Sequence, residues 1–477
     1  MDYSGLICNV RQTVREVMVQ IDKNAKGTAF ILDEDERVVG IATDGDIRRA
    51  LLNGAGLNDS IRRYMNRDFV YAKDPVDAQD IIKQYEWKYK IIPLLDDNGR
   101  VTDCVESSDN RHIALAQPQL SGNEYNYLMD AFLSTWISST GKYVTGFEDT
   151  FSRYCGVRYG VATSNGTVAL HLALAALGIG KGDEVIVPDI TFAATINAVL
   201  YTGATPVIVD IDESWCMDPD EMEKAITSHT KAVIPVHIYG QPCDMQKICE
   251  VARAHGLYIV EDCAEAHGAE FDHKKVGSFG IISCFSFFGN KVITTGEGGM
   301  CITDNKELNQ KMRILRDHGM SEKRKYYHEV VGFNYRITNM QAAIGMAQLE
   351  HIEEMLAWRS ELEEKYRSNF SRIEGVQMQR VDFFGRKKIA WLVSVLVGEN
   401  IRDEMLQELK KDNIDARPFF IPLSEMKIYQ DYAKDCKNSK RISRKGINLP
   451  TTYDIDDEKI EKITSIVAKT LSERRAV

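Results

Sequence analysis

The chain has 477 residues, 44% of them hydrophobic and 27% charged, with a formal net charge of −11. That length exceeds what one hydrophobic core usually supports, so two or three compact units are expected and a single small module is excluded. The acidic balance argues against a general nucleic-acid or anionic-membrane surface, because both need clustered Lys and Arg.

The N-terminal run MDYSGLICNVRQTVREV carries charges where a signal peptide needs an apolar core. The most apolar stretch, VALHLALAALGIG from Val168 to Gly180, carries a His and falls short of the about 20 residues of a membrane span, so it reads as a buried helix. Ten cysteines lie scattered from Cys8 to Cys436 without a CxxC pair, which fits reduced thiols in a cytoplasmic protein and neither a zinc knuckle nor a thioredoxin-like site. The ten histidines form no HxxxH-type cluster, so no metal is expected.

Up to about residue 115, the segments GTAFILDEDERVVGIAT and KIIPLLDDNGRVTDCVE repeat one pattern: apolar strand, acidic turn, apolar strand. The turns fall at Asp33 to Glu36 and Asp96 to Gly99, and the repetition predicts a pseudo-symmetric pair in which each copy covers the other's sheet. Pro118 and Gly122 break the chain next. From Glu124 the runs DEVIVPDI, ATPVIVDI, KAVIPVHI and LYIVEDCA read as buried strands separated by helices such as DMQKICEVARAHG. That predicts an α/β domain over 118–358, with a mostly parallel sheet flanked by helices. A charged helical stretch, MAQLEHIEEMLAWRSELEEKYRSNF, then leads into a smaller C-terminal α+β lobe over 359–477.

Chemistry concentrates in three places. In FSFFGNKVITTGEGGM, Lys291 sits among Phe287, Phe288, Val292 and Ile293, whose burial favours the neutral amine. LYIVEDCAEAHG ends a strand in Asp262, at the edge where open α/β sheets bind ligands, although a helix cap would also use such an acid. Ser164-Asn165-Gly166-Thr167 opens a helix, which suits a phosphate as well as an ordinary Ser/Thr cap. A lysine, a strand-end acid and an anion cradle are what pyridoxal phosphate (PLP) requires, and no GxGxxG or P-loop pattern competes.

Together SNGTVALHLALAALGIGKGDEVIVPDITF, EDCAEAHGA, FSFFGNKVITTGEGGM and GFNYRITNMQAAIGMAQLE resemble the DegT/DnrJ family of PLP-dependent sugar-nucleotide aminotransferases, over residues 118 to 477. The resemblance implies an aspartate-aminotransferase-type fold and a role for each matching position. Lys291 matches the Schiff-base lysine, Asp262 the partner of the pyridine nitrogen, Glu265 a ring-hydroxyl contact that is often Gln, and Phe192 the aromatic on the ring face. Gly166, Thr167 and Ser286 match phosphate contacts from the same subunit, and Asn334 matches one from the neighbouring subunit, which implies a homodimer. Lys291 argues against the dehydratases of the family, in which His replaces the lysine. The implied reaction moves nitrogen from L-glutamate to a keto sugar nucleotide in ping-pong fashion, with the Lys291 amine as general base and acid.

Within the family, TWISSTGKYVTGFE, HIYGQPCDM, RDHGM and ARPFFIPL resemble the members that aminate C4 of a GDP-linked 4-keto-6-deoxy sugar, which makes Trp136, Ser138, His318 and Arg417 candidate substrate contacts. Amination at C3, dehydration, or a nucleotide sensor with a vestigial aminotransferase part stand as alternatives. Near the N-terminus VVGIATDGDIRRALL is similar to the nucleotide-contacting end of a CBS (cystathionine-β-synthase) repeat, with Thr43, Asp46 and Arg48 as candidate contacts to a regulatory nucleotide. The second copy has Glu106 where Thr43 stands, so one of two nucleotide sites is degraded; a scaffold that binds nothing is the other reading.

Overall fold

A computed structural model describes residues 3–24, 26–73, 77–78, 91–106, 112–321 and 323–475. The chain divides into two compact units, Met1–His112 and Ile113–Val477.

In the first unit β1 (Ile7–Asn9) runs parallel to β2 (Thr28–Leu32), which forms a hairpin with β3 (Val38–Thr43). A second hairpin joins β4 (Ile91–Leu95) and β5 (Val101–Glu106). The hairpins match in detail. Each slips register just before its turn, at Ile31/Leu32 and at Leu94/Leu95. Asp33 Oδ1 accepts from the amides of Asp35 and Arg37, and Asp96 Oδ1 accepts from those of Asn98 and Arg100. Short acidic side chains stabilise such turns because their oxygens stand in for a backbone acceptor. Phe30 and Ile41 of the first hairpin share a core with Ile91 and Cys104 of the second, so each copy covers the other as the repeat predicts. Ser107 to Arg111, the rest of the second CBS-like motif, lie outside the described residues.

The second unit contributes β6 (Tyr159–Thr163), β7 (Glu184–Pro188), β8 (Thr205–Val209), β9 (Thr230–Val233), β10 (Tyr258–Asp262), the short β11 (Glu270–Phe271) and β12 (Lys274–Lys275), β13 (Ile282–Ser286) and β14 (Gly299–Thr303). The main sheet has the order β6-β14-β13-β10-β9-β7-β8, with only β14 running against the rest. Successive strand residues face opposite sides. Ile259 and Phe285 accordingly enter one core with Phe147 and Phe151, while Val260 and Cys284 enter another with Leu172 and Val199. The helix Gly166–Leu177 is apolar and largely buried, and it ends at Gly178, whose φ of 79° lies where a side chain is strained.

The small lobe holds β15 (Gln377–Met378), β16 (Arg386–Lys387), β17 (Val393–Leu396), β18 (Arg417–Pro418) and β19 (Gly446–Leu449). An antiparallel sheet β15-β17-β19-β18 packs with Leu362, Tyr366 and Val467 in its own core, and β16 joins β11 instead. The charged stretch read as one helix is two, Asn339–Glu350 and Ile352–Phe370. At the break His351 leaves helical backbone (φ −114°, ψ 11°) and lays its ring over Gly122, a tertiary contact that periodicity does not reveal. Among the described residues no helix is long and apolar enough to cross a membrane.

Glu148, on the helix Lys142–Tyr154, is buried and ties that helix to its neighbours. It accepts from the Ala162 amide at 2.9 Å and pairs with Arg316 at 2.6 Å and Arg313 at 2.9 Å. Breaking a buried pair strands the remaining charge, so Glu148→Ala should destabilise the second unit by about 3–5 kcal/mol, read from the urea unfolding midpoint.

Candidate active site

The C-terminal ends of the parallel strands converge on a cavity of 590 Å³. β6 delivers Asn165, Gly166 and Thr167; β7 delivers Thr191 and Phe192; β10 delivers Asp262 and Glu265; β13 delivers Ser286 and, past its end, Asn290 and Lys291. Such an edge collects ligand groups because each strand hands its chain to a loop there.

Lys291 Nζ lies 3.7 Å from Glu265 Oε1 and 3.8 Å from the centre of the Trp391 ring, whose Nε1 donates to the Asn290 carbonyl at 2.8 Å. Burial pulls the lysine below its ordinary value, against the raising influence of Glu265 and Asp262. Burial also pushes the Glu265 carboxyl up to about 7, although Lys291 and the amide of Tyr239, which donates to Oε2, favour its charge. Asp262 is raised by burial too. It caps no helix: Oδ1 accepts from the Ala264 amide at 3.2 Å and Oδ2 from the Thr195 hydroxyl at 2.8 Å.

The helix Gly166–Leu177 is capped by Asn165, whose side chain accepts from Val168 N, rather than by a Ser or Thr. Gly166 and Thr167, ahead of that bond, line the cavity and leave their amides for an anion. A Cβ on Gly166 would come within 2.8 Å of Ser286 Cβ, so only glycine lets the Ser286 hydroxyl approach this helix start. Phe192 is 60% exposed, with a ring face to offer. Amine, acid, anion cradle and stacking ring thus line one cavity, and the donor set fits pyridoxal phosphate.

Five of the residues predicted for this site do not line the cavity. Asn334 is exposed and accepts from Arg336 Nε, and His318 is exposed with its ring against Arg336 Nη2. Trp136 and Ser138 are exposed, their carbonyls accept from Asn339, and the Trp136 amide donates to the Ser134 hydroxyl; Arg417 is exposed and paired with Asp415. Sequence reading passed over Thr191, Thr195, Tyr239, Asn290, Trp391 and Phe420. Thr191 and Thr195 are spaced four apart beside Phe192, a signal that was available; Trp391 comes from the small lobe and has no local motif. In the first unit Thr43 and Asp46 form a reciprocal cap on the helix Asp44–Leu52, Arg49 pairs with Asp46, and Arg48 is exposed.

One buried trio, His237, Glu261 and Cys263, has metal-like proximity. Two of its three donor groups are spent: Glu261 accepts from the amides of Gly277, Phe279 and Gly280, from Ser283 Oγ and from His237 Nε2, while His237 Nδ1 accepts from Cys243 N. It is a hydrogen-bonded node of the core.

The model of the DegT/DnrJ/EryC1/StrS aminotransferase family matches residues 118–468. The chain belongs to that family. Its members are PLP-dependent sugar aminotransferases, and this aminotransferase uses the same cofactor. It is similar to GDP-perosamine synthase of Caulobacter vibrioides, 46% identical over 76% of this chain and 100% of the relative. It also resembles the UDP-N-acetyl-3-dehydro-alpha-D-glucosamine 3-aminotransferase of Acidithiobacillus ferrooxidans, 39% identical over 66% of this chain and 85% of the relative. Among solved structures, S. venezuelae DesV superposes with a TM-score of 0.69 and 34% identity, covering 73% of this chain and 94% of DesV. The CBS domain model matches residues 6–53, outside the aminotransferase match.

Because Glu265 holds its proton more tightly folded than unfolded, its contribution to stability is full below about pH 4.3 and is lost as pH rises through about 7. With cofactor removed, the melting temperature should fall across that window more steeply in the wild type than in Glu265→Gln, measured by pH-resolved thermal denaturation.

Proposed function

We propose that this aminotransferase converts a GDP-linked 4-keto-6-deoxy sugar to the 4-amino sugar with L-glutamate as donor. The observation that carries the reading is the shared cavity of Lys291, Asp262 and the Gly166–Thr167 helix start, together with similarity to the whole length of a GDP-perosamine synthase over 76% of this chain. Lys291 holds the cofactor, Asp262 faces its pyridine nitrogen, Glu265 contacts the ring hydroxyl, Phe192 lies on the ring face, and Gly166, Thr167 and Ser286 hold the phosphate. Bound pyridoxal phosphate supplies a carbonyl that takes up amino groups and a ring that accepts the charge left when a substrate carbon loses a proton.

The chain's own part is binding and proton movement. Burial lowers the Lys291 amine from its ordinary value and so favours its neutral form, in which Nζ takes the proton from the donor carbon and later returns one to the sugar carbon. A dimer completes the site, with Asn334 of the partner subunit on the phosphate; the exposed Trp136, Ser138, His318 and Arg417 contact the sugar nucleotide. Ten free thiols fit work in the reducing cytoplasm. The relative that acts at C3 supports amination at C3 as a second reading.

A panel of GDP-, UDP- and dTDP-linked 4-keto and 3-keto sugars with glutamate should give a 4-amino product with the GDP-linked 4-keto sugar, located by NMR; product at C3 would sink the C4 assignment. Borohydride should fix the cofactor to the Lys291 peptide, and Lys291→Ala should lose that adduct together with at least 100-fold of the rate, on the order of what one general base supplies.

The CBS module is proposed to hold a regulatory nucleotide, with the Thr43 hydroxyl near phosphate, Asp46 on ribose and Arg48 adding charge. Saturating adenine or guanine nucleotide at about 100 times its Kd should stabilise the first unit by about 2.7 kcal/mol, seen as a raised melting temperature; no shift with any nucleotide leaves the module a scaffold.

A further inference from the structure

Asp262 poses a problem that the lysine does not solve. A carboxyl this buried, with 5% of its surface exposed, tends to take up a proton, yet it serves a pyridinium only as an anion with one oxygen aimed at the ring. Something has to hold both its charge and its orientation.

Thr195 occupies that place. It is fully buried on the first turn of the helix Ala194–Thr202, it does not line the cavity, and its hydroxyl lies 2.8 Å from Asp262 Oδ2. A second hydroxyl, Thr191 Oγ1, lies 2.8 Å from Thr195 Oγ1. A hydroxyl has one hydrogen to give. With the Thr195 hydrogen committed to the carboxylate, the Thr191 hydrogen goes to Thr195 Oγ1 at 2.8 Å in preference to the Phe192 carbonyl at 3.4 Å, and the pair becomes a directed chain from Thr191 through Thr195 to Asp262. Run in this direction the chain ends on Oδ2 as an acceptor, whereas the reverse direction, from a protonated Oδ2, would have to end on the Phe192 carbonyl across 3.4 Å. Each hydrogen bond in such a chain polarises the next and strengthens it. The five residues from Thr191 to Thr195 therefore do two jobs, since the same segment presents Phe192 at the cavity.

We propose that Thr195, oriented by Thr191, is the positioning residue that fixes the Asp262 carboxylate against the cofactor's pyridine nitrogen. This rests on the reading of Asp262 given above. Lys291, His237, Glu265, Cys263 and Cys284 also interact with the Asp262 charge, and the Thr195 side chain hydrogen-bonds Asp262 and Thr191 rather than any of them.

The test compares Thr195→Val, Thr195→Ser, Thr191→Val and Asp262→Asn as purified holoenzymes. In Thr195→Val the ring nitrogen should lose its proton at a pH about one unit lower, read by nitrogen NMR of isotope-labelled cofactor, because a hydrogen bond to a charged group is worth a factor of about 10 to 100. The same variant should lose about 10- to 100-fold in kcat with little change in the KM for glutamate, and Thr195→Ser should restore both values. Thr191→Val keeps the Thr195 hydroxyl but frees it to turn, so it should shift the midpoint in the same direction by less; this keeps the test decisive if Thr195→Val does not fold. A wild-type midpoint and kcat in Thr195→Val and in Thr191→Val, with Asp262→Asn impaired, overturns the proposal and leaves Asp262 in its role. Wild-type behaviour of Asp262→Asn overturns the role itself.

Discussion

Burial of opposite charges in one cavity is the constraint on which the rest of this site depends. Lys291, Asp262 and Glu265 all lie where water is largely excluded, and burial drives each toward its neutral form. For the lysine that tendency is useful, since only a neutral amine can take up a carbonyl or a proton. For Asp262 it is a threat, countered by the Ala264 amide and the Thr195 hydroxyl. Glu265 sits between, with a lysine on one oxygen and a backbone amide on the other.

The fold supplies this cavity by simple means. Parallel strands end on one edge, each handing a different group to it, and the helix Gly166–Leu177 starts at that edge with amides its own cap does not use. A residue-scale fit completes the geometry: glycine at 166 admits Ser286 beside the helix start. The small lobe contributes through Trp391, whose ring faces the Lys291 amine while its indole N–H holds the neighbouring carbonyl of Asn290. Separately, the first unit builds two matched hairpins on matched aspartate turns, and Thr43 and Asp46 cap the CBS-like helix start of the first copy.

Much of this was legible along the chain because it is local. Strands β7 to β10 announce themselves as apolar runs, the hairpin turns as acidic clusters, and the lysine and strand-end acid by neighbours that bury them. The helix break at His351 escaped, because a charged stretch with helical periodicity continues through it and the cause is packing over Gly122. Thr195 escaped for a similar reason: a threonine in a helix start reads as a cap until its hydroxyl is seen on a carboxylate 67 positions away.

By itself the sequence determined the α/β class, the family and the repeat in the first unit, and it singled out Lys291, Asp262 and the Gly166–Thr167 helix start as candidates. Each of those follows from residue type and short-range spacing, which set backbone preference and burial directly. Only the tertiary structure decided that Lys291 meets Glu265 and Trp391, that Thr191 and Thr195 stand in line with Asp262, and that Asn165 rather than a hydroxyl residue caps the helix Gly166–Leu177. Those contacts join residues remote in the chain or choose among local partners of equal propensity, and such choices are made by packing and desolvation, which act in three dimensions.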